Sequence, residues 1–132
     1  MPVKRSCRAV LVLFLTLAPG SAFAVSEVTR VMLEELQTMA PLSFSAAAGK
    51  ATWFKDIDGR SCTTCHTESV LVSGRHQRTG KVIEAMAPSI NPQRLTVRKK
   101  INKWLLRNCK WTFGRECSAQ EKGDILVWLS EQ

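Results

Sequence analysis

The sequence lacks internal repeats, low-complexity tracts, clear strand periodicity and any hydrolase or nucleophile signature. Their absence argues against repeat architectures, disordered scaffolds and hydrolytic chemistry. No zinc finger, helix-turn-helix or aromatic-basic RNA motif accompanies the formal charge of +8. A nucleic-acid partner is therefore not expected, and the excess cations read as a solvated basic face able to favour acidic partners. The apolar run "AVLVLFLTLA", residues 9–18, is too short to span a bilayer as a helix. Histidine is scarce, with only His66 and His76 present.

What the N-terminus does contain is a targeting segment. Lys4, Arg5 and Arg8 precede the apolar run, Pro19-Gly20 breaks it, and Ala22-Phe23-Ala24 fits a small-x-small cleavage site. Residues 1–24 are expected to be a signal peptide, leaving residues 25–132 as one domain exported to a bacterial periplasm. So small a domain benefits from a covalent staple or a buried cofactor. Cys7 leaves with the signal, and Cys62, Cys65, Cys109 and Cys117 remain. In an oxidising compartment, "CKWTFGREC" predicts a Cys109–Cys117 disulfide. Closing that short loop contributes about 2–3 kcal/mol, mainly by restricting the unfolded chain.

Helical patterns dominate the rest. Ser26 caps a helix expected through about Ala40, with Val28, Met32, Leu36 and Met39 on one side. Pro41 ends it, "SAAAGKATWF" (45–54) supplies a second helix, and "DIDGRS" turns into the cysteine motif. Residues 69–96, punctuated by Gly74, Gly80, Pro88 and Pro92, read as a long loop with little regular structure. A loop of that length in a small domain is expected to wrap a large group. Thr96 opens the next helix, with Val97, Ile101, Trp104 and Leu105 as its apolar stripe. Ser118 and Glu121 form a capping box for a last helix that buries Ile125, Leu126, Trp128 and Leu129. The expected fold class is all-α, with about four to five short helices.

Cys62-Thr63-Thr64-Cys65-His66 carries the chemistry. Two cysteines at this spacing at a helix start reach both vinyl groups of one haem as thioethers. The histidine that follows is then held beneath the iron. A thioredoxin-type pair would need a βαβ context, which is missing, and a four-cysteine zinc site competes with disulfide formation. One covalently attached haem c is thus the expected cofactor, with Cys62 and Cys65 as anchors and His66 as proximal ligand.

Three residues compete for the sixth iron position: Met86 in "EAMAPS", His76 in "GRHQRTG", and Asn108. Asn108 continues the face of Val97, Ile101, Trp104 and Leu105, so its amide lies on the apolar side. A buried amide without a partner costs about 1–3 kcal/mol. It either meets the iron or ends the helix as a left-handed cap, and the residues alone leave this open. Trp104 and Trp111 are candidates to wall the haem. Arg75, Arg78 and Lys81 are candidates for the propionates or a docking partner.

Gly49 and Trp53 are spaced like the Gly-x-x-x-aromatic of the first helix of class I cytochromes c, and Trp128-Leu129 matches the aromatic-Leu pair of the terminal helix. From about Gly49 to Gln132, "SCTTCH", "RTGKVIEAMAPSINPQRLT" and "KWLLRNC…GREC…EKGDILVWL" resemble the sphaeroides haem protein (SHP) family, which overlaps the domain of unknown function 1924 group. The resemblance implies a class I cytochrome c fold around one covalently bound haem. It implies that Asn108 is an axial ligand that leaves the iron on reduction, beside a Cys109–Cys117 disulfide. It also implies a ferrous haem that binds oxygen or other diatomic gases, and redox partners among other cytochromes, namely a dihaem cytochrome c and a membrane cytochrome b. A neutral amide is a hard, weak ligand that suits ferric iron better than ferrous. The alternatives are a plain low-spin electron carrier with Met86 or His76 as fixed ligand, and an enzyme converting oxygen or nitric oxide at the open ferrous site.

Overall fold

The computed structural model describes Met1 and residues 25–132, so the expected signal segment, Met1 aside, and its cleavage site lie outside the described residues. Among the described residues, no helix is long and apolar enough to cross a membrane. The chain forms α1 (Glu27–Gln37), α2 (Ala46–Phe54), α3 (Thr63–His66), β1 (Gly74–Arg75), β2 (Val82–Ile83), α4 (Arg98–Phe113) and α5 (Ala119–Ser130).

The centre of the fold is the crossing of α2 and α5. Gly49 permits it, because a Cβ there would lie 2.0 Å from the Asp124 carbonyl oxygen. The buried Asp124 carboxylate ties the two helices at the same level. It accepts from the Ser45 backbone N–H at 2.8 Å and from Gln120 Nε2 at 3.0 Å. Trp53 and Trp128 meet beyond the crossing, with ring centroids 5.4 Å apart. They form one buried cluster with Val70, Ala87, Ile125 and Leu129. A second cluster joins Met32 of α1, Ile101 of α4 and Leu126 of α5.

Local signals explain most element ends. The Ser26 hydroxyl accepts from Thr29 N–H at the start of α1, and Ser45 does the same for Ala48 in α2. Met39, expected on the apolar side of α1, is instead 67% exposed. The helix ends at Gln37, and Thr38 and Met39 bond back three residues rather than four. That tightening rotates Met39 off the buried stripe.

The loop of residues 69–96 is less irregular than expected. It holds a two-residue antiparallel hairpin, with Gly74 opposite Ile83 and Arg75 opposite Val82. Further on, Met86 and Ala87 N–H groups both donate to the Val70 carbonyl, and Arg94 Nε donates to the Ala85 carbonyl at 2.8 Å. Leu95 adopts a left-handed φ of 59°. Its carbonyl accepts from the hydroxyls of Ser26 and Thr29, which fasten the loop to α1.

Helix α4 ends at Gly114 (φ 70°), past Asn108, and the Cys109–Cys117 disulfide spans the turn into α5 with an S–S distance of 1.98 Å. Ser118 and Glu121 form the reciprocal capping box of α5.

Candidate haem site

The cysteine motif is delivered by a tight turn. Asp58 and Gly59 both have positive φ (52° and 77°), and Ile57 and Arg60 exchange two backbone hydrogen bonds across them. Two consecutive left-handed residues are the signature of a two-residue hairpin turn. Ser61 follows; its N–H donates to Thr64 Oγ1 at 3.0 Å, which starts the single turn of α3. His66 N–H donates to the Cys62 carbonyl, and Thr67 (φ 62°) turns the chain away. The hairpin backs this turn closely, since a Cβ on Gly74 would lie 2.0 Å from the Cys65 carbonyl oxygen. Gln77 N–H reaches Cys65 Sγ at 3.4 Å.

His66 is buried, with its ring centroid 5.1 Å from that of Trp53. Trp53 therefore connects the α2–α5 crossing to the motif. Burial, assisted by the nearby Arg94 charge, lowers the His66 pKa to about 4. The imidazole is consequently neutral at physiological pH, the form that ligates a metal. Its Nδ1 is buried without a hydrogen-bond partner. Burial also pushes the Cys62 thiol up to about 11, so its sulfur is uncharged.

A cleft between α3 and α4 gathers Cys62, Cys65 and His66 on one side with Asn108, Trp111 and Thr112 on the other. Asn108 lies in mid-helix, and Gly114 takes the left-handed cap; the reading of Asn108 as that cap is therefore corrected. Met86 is not in the cleft lining and packs against the Trp53–Val70–Ala87 cluster. His76 is also outside it, with its Nδ1 accepting from Thr79 N–H at 3.2 Å within the hairpin turn. Trp111 lines the cleft, but Trp104 is 46% exposed between Lys103 and Arg107, whose cations lie about 5 Å from its ring. Arg75, Arg78 and Lys81 are exposed on the hairpin, and Arg75 Nη1 donates to the Gly80 carbonyl at 3.1 Å.

Sequence reasoning missed Thr112 and Arg94. Thr112 could have been found by continuing the Ile101–Leu105–Asn108 face one more turn. Arg94 carried no local signal, because its relation to His66 depends on how the loop folds back.

The residues fit a haem. The two motif thiols are unpaired, one of them half-buried and uncharged, next to a neutral imidazole. Leu71, Val72 and Val82 stand exposed on the segments after α3, as apolar surface that a macrocycle would cover. Among the described residues, no group of three or more His, Cys, Asp or Glu could hold a bare metal ion.

Comparison with known proteins identifies the family and the fold. The domain of unknown function family DUF1924 matches residues 39–129. Cytochrome c-type protein SHP of Cereibacter sphaeroides is 48% identical over 75 residues, covering 57% of each chain. Cytochrome c'' of Methylophilus methylotrophus is 32% identical over 78 residues, or 58% of this chain and 54% of that one. The chain thus spans little more than half the length of these relatives. Among solved structures, oxidised SHP, described as an oxygen-binding cytochrome c, superposes with a TM-score of 0.73 at 37% identity, covering 79% of this chain and 96% of that one. Oxidised cytochrome c'' gives 0.63 at 26% identity, covering 78% and 89%. A solution structure of cytochrome c'' that addresses haem-ligand detachment also gives 0.63 at 26% identity, covering 80% and 91%. The chain belongs to the DUF1924 family and is an SHP-type cytochrome with an all-α, class I cytochrome c-like fold and a haem c cofactor.

Proposed function

We propose that this protein is an exported monohaem cytochrome in which Asn108 is a ligand that leaves the iron on reduction, opening a site for oxygen or another diatomic gas. Cys62 and Cys65 would anchor one haem as thioethers, and His66 would ligate its iron. The haem, when bound, supplies a redox-active iron with one exchangeable position. Trp53 and burial keep the His66 ring oriented and neutral. Asn108 offers a weak neutral oxygen donor suited to the ferric state. The Cys109–Cys117 disulfide holds the backbone immediately after Asn108, so release is a side-chain rotation rather than an unwinding of α4.

The observation that carries this reading is the composition of the cleft: Asn108 faces the motif, whereas Met86 and His76 are engaged elsewhere. The oxygen-binding SHP and the ligand detachment addressed for cytochrome c'' support it. Electrons would come from partner cytochromes, a dihaem cytochrome c or a membrane cytochrome b, in the periplasm.

Visible and EPR spectra of oxidised and reduced protein, with and without carbon monoxide, test the reading. A low-spin ferric form that becomes high-spin on reduction and takes up carbon monoxide is expected. Asn108→Ala should abolish the low-spin ferric signal while leaving carbon monoxide binding intact. A reduced protein that stays low-spin and ignores carbon monoxide would instead favour a fixed Met86 or His76 and a plain electron carrier.

A further inference from the structure

Thr112 stands one turn after Asn108 on the same side of α4 and lines the same cleft. It is 1% exposed, and its hydroxyl has no hydrogen-bond partner. A threonine inside a helix ordinarily donates to the carbonyl four residues back. Here that carbonyl belongs to Asn108, and the Thr112 hydroxyl does not bond to it. The hydroxyl does approach the Cys62 sulfur, where it works against the burial that raises the thiol's pKa, but sulfur is a weak acceptor and the contact falls short of full hydrogen-bonding geometry. The Ser61 hydroxyl is occupied by those of Thr63 and Thr64.

A buried hydroxyl left unpaired is unfavourable, so a partner is expected in some state of the site. The group within reach is the Asn108 carboxamide, at the spacing where helix side chains meet. We propose that Thr112 is the resting partner of Asn108: its hydroxyl hydrogen-bonds the carboxamide when that side chain is off the iron, and so sets how readily the sixth position opens. This inference rests on reading Asn108 as the labile ligand. Thr112 is a positioning residue, acting only through Asn108. While Asn108 is on the iron, Thr112 stays unpaired and slightly destabilises that state. Once Asn108 is released, both groups are satisfied.

Thr112→Val keeps the shape and removes the hydroxyl. In the haem-loaded protein it should slow cyanide association with the oxidised form, where Asn108 must first leave the iron, about fivefold, the size of one ordinary hydrogen bond. It should also lower the reduction potential, because the open ferrous state loses its support. The oxidised protein should be as stable as wild type or more so. Thr112→Ser should restore both values, and Thr112→Val should change nothing when added to Asn108→Ala. Wild-type rates and potential in Thr112→Val, alongside an altered Asn108→Ala, would overturn the role of Thr112. An Asn108→Ala protein with wild-type spectra would instead overturn the ligand assignment beneath it. If Thr112→Val does not load haem, NMR of the reduced, carbon-monoxide-bound wild type decides. A through-space contact between the Asn108 carboxamide protons and the Thr112 methyl is expected, and its absence would refute the proposal.

Discussion

Single residues decide how closely this fold can pack, and the glycines show it best. Gly49 and Gly123 both face close neighbours, but of different kinds. A Cβ on Gly49 would meet the Asp124 backbone at 2.0 Å, whereas one on Gly123 would meet the Phe44 ring at 2.1 Å. A ring can rotate aside, but a helix backbone cannot. Gly49→Ala must therefore push α2 from α5, with an overpacking cost of about 1–3 kcal/mol or more. Gly123→Ala should cost less. Thermal unfolding of the two variants checks this, and equal midpoints would contradict the backbone argument. Gly49→Ala has a second consequence at the same scale. Trp53 lies on α2 one turn beyond Gly49 and packs against His66 with the rings tilted by 41°, so a displaced α2 carries Trp53 away from the motif histidine. The Gly-x-x-x-Trp spacing was legible in the sequence because both residues act locally on one helix. That the tryptophan ends against the motif histidine was not, because nothing within α2 specifies what its far edge meets.

At the scale of elements, legibility followed the range of the signal. The capping box of α5 is written in four consecutive residues and forms as read. The β1–β2 hairpin has two residues per strand, too few for alternation to register. The face of α4 was legible only in part. Trp104 and Leu105 are neighbours near the edge of the apolar stripe, and periodicity admits both. The cations of Lys103 and Arg107 hold Trp104 outward, so the inner face continues through Leu105 and Cys109 to Thr112. The α5 cap also yields a pH prediction. Arg115 donates two hydrogen bonds to the Glu121 carboxylate, which also accepts from Ser118 N–H. The Arg115 hydrogen bonds hold the Glu121 pKa at about 2, below its ordinary 4.5; burial opposes them, and the Ser118 N–H and the Arg115 charge add smaller downward effects. The folded state therefore favours the ionised carboxylate. Its stabilisation is complete above pH 4.5 and disappears as pH falls towards 2. Glu121→Gln should cost about 1 kcal/mol at neutral pH. The gap to wild type should close in acid. Denaturant titrations at both pH values measure it, and a gap that persists near pH 2 would assign the cost to packing instead of charge.

Across the whole molecule, a scaffold and a site are built from different parts. Helices α1 and α2 each pack on α5, through Met32 against Leu126 and Trp53 against Trp128. The motif turn attaches to that scaffold chiefly through Trp53 against His66, and the hairpin in turn backs the motif turn through the Gly74 contact with Cys65. The Cys62–His66 motif was legible because it is contiguous. The pairing of Asn108 with it across the cleft was supplied by family resemblance, since a contact over such a separation leaves no local trace. The division predicts that bound haem completes the core on the site side. A Cys62→Ala/Cys65→Ala chain, unable to hold haem covalently, should keep slow amide exchange in α2 and α5. It should also keep it in the first half of α4, where Ile101 joins Met32 and Leu126. Residues 61–83 and the stretch from Asn108 to Phe113 should exchange far faster than in the haem-loaded protein, because local opening follows local burial. Hydrogen exchange read by mass spectrometry gives both patterns. Uniform loss of protection would mean that the haem organises the scaffold as well as the site, and the α2–α5 crossing would then be a consequence of cofactor binding rather than the frame that receives it.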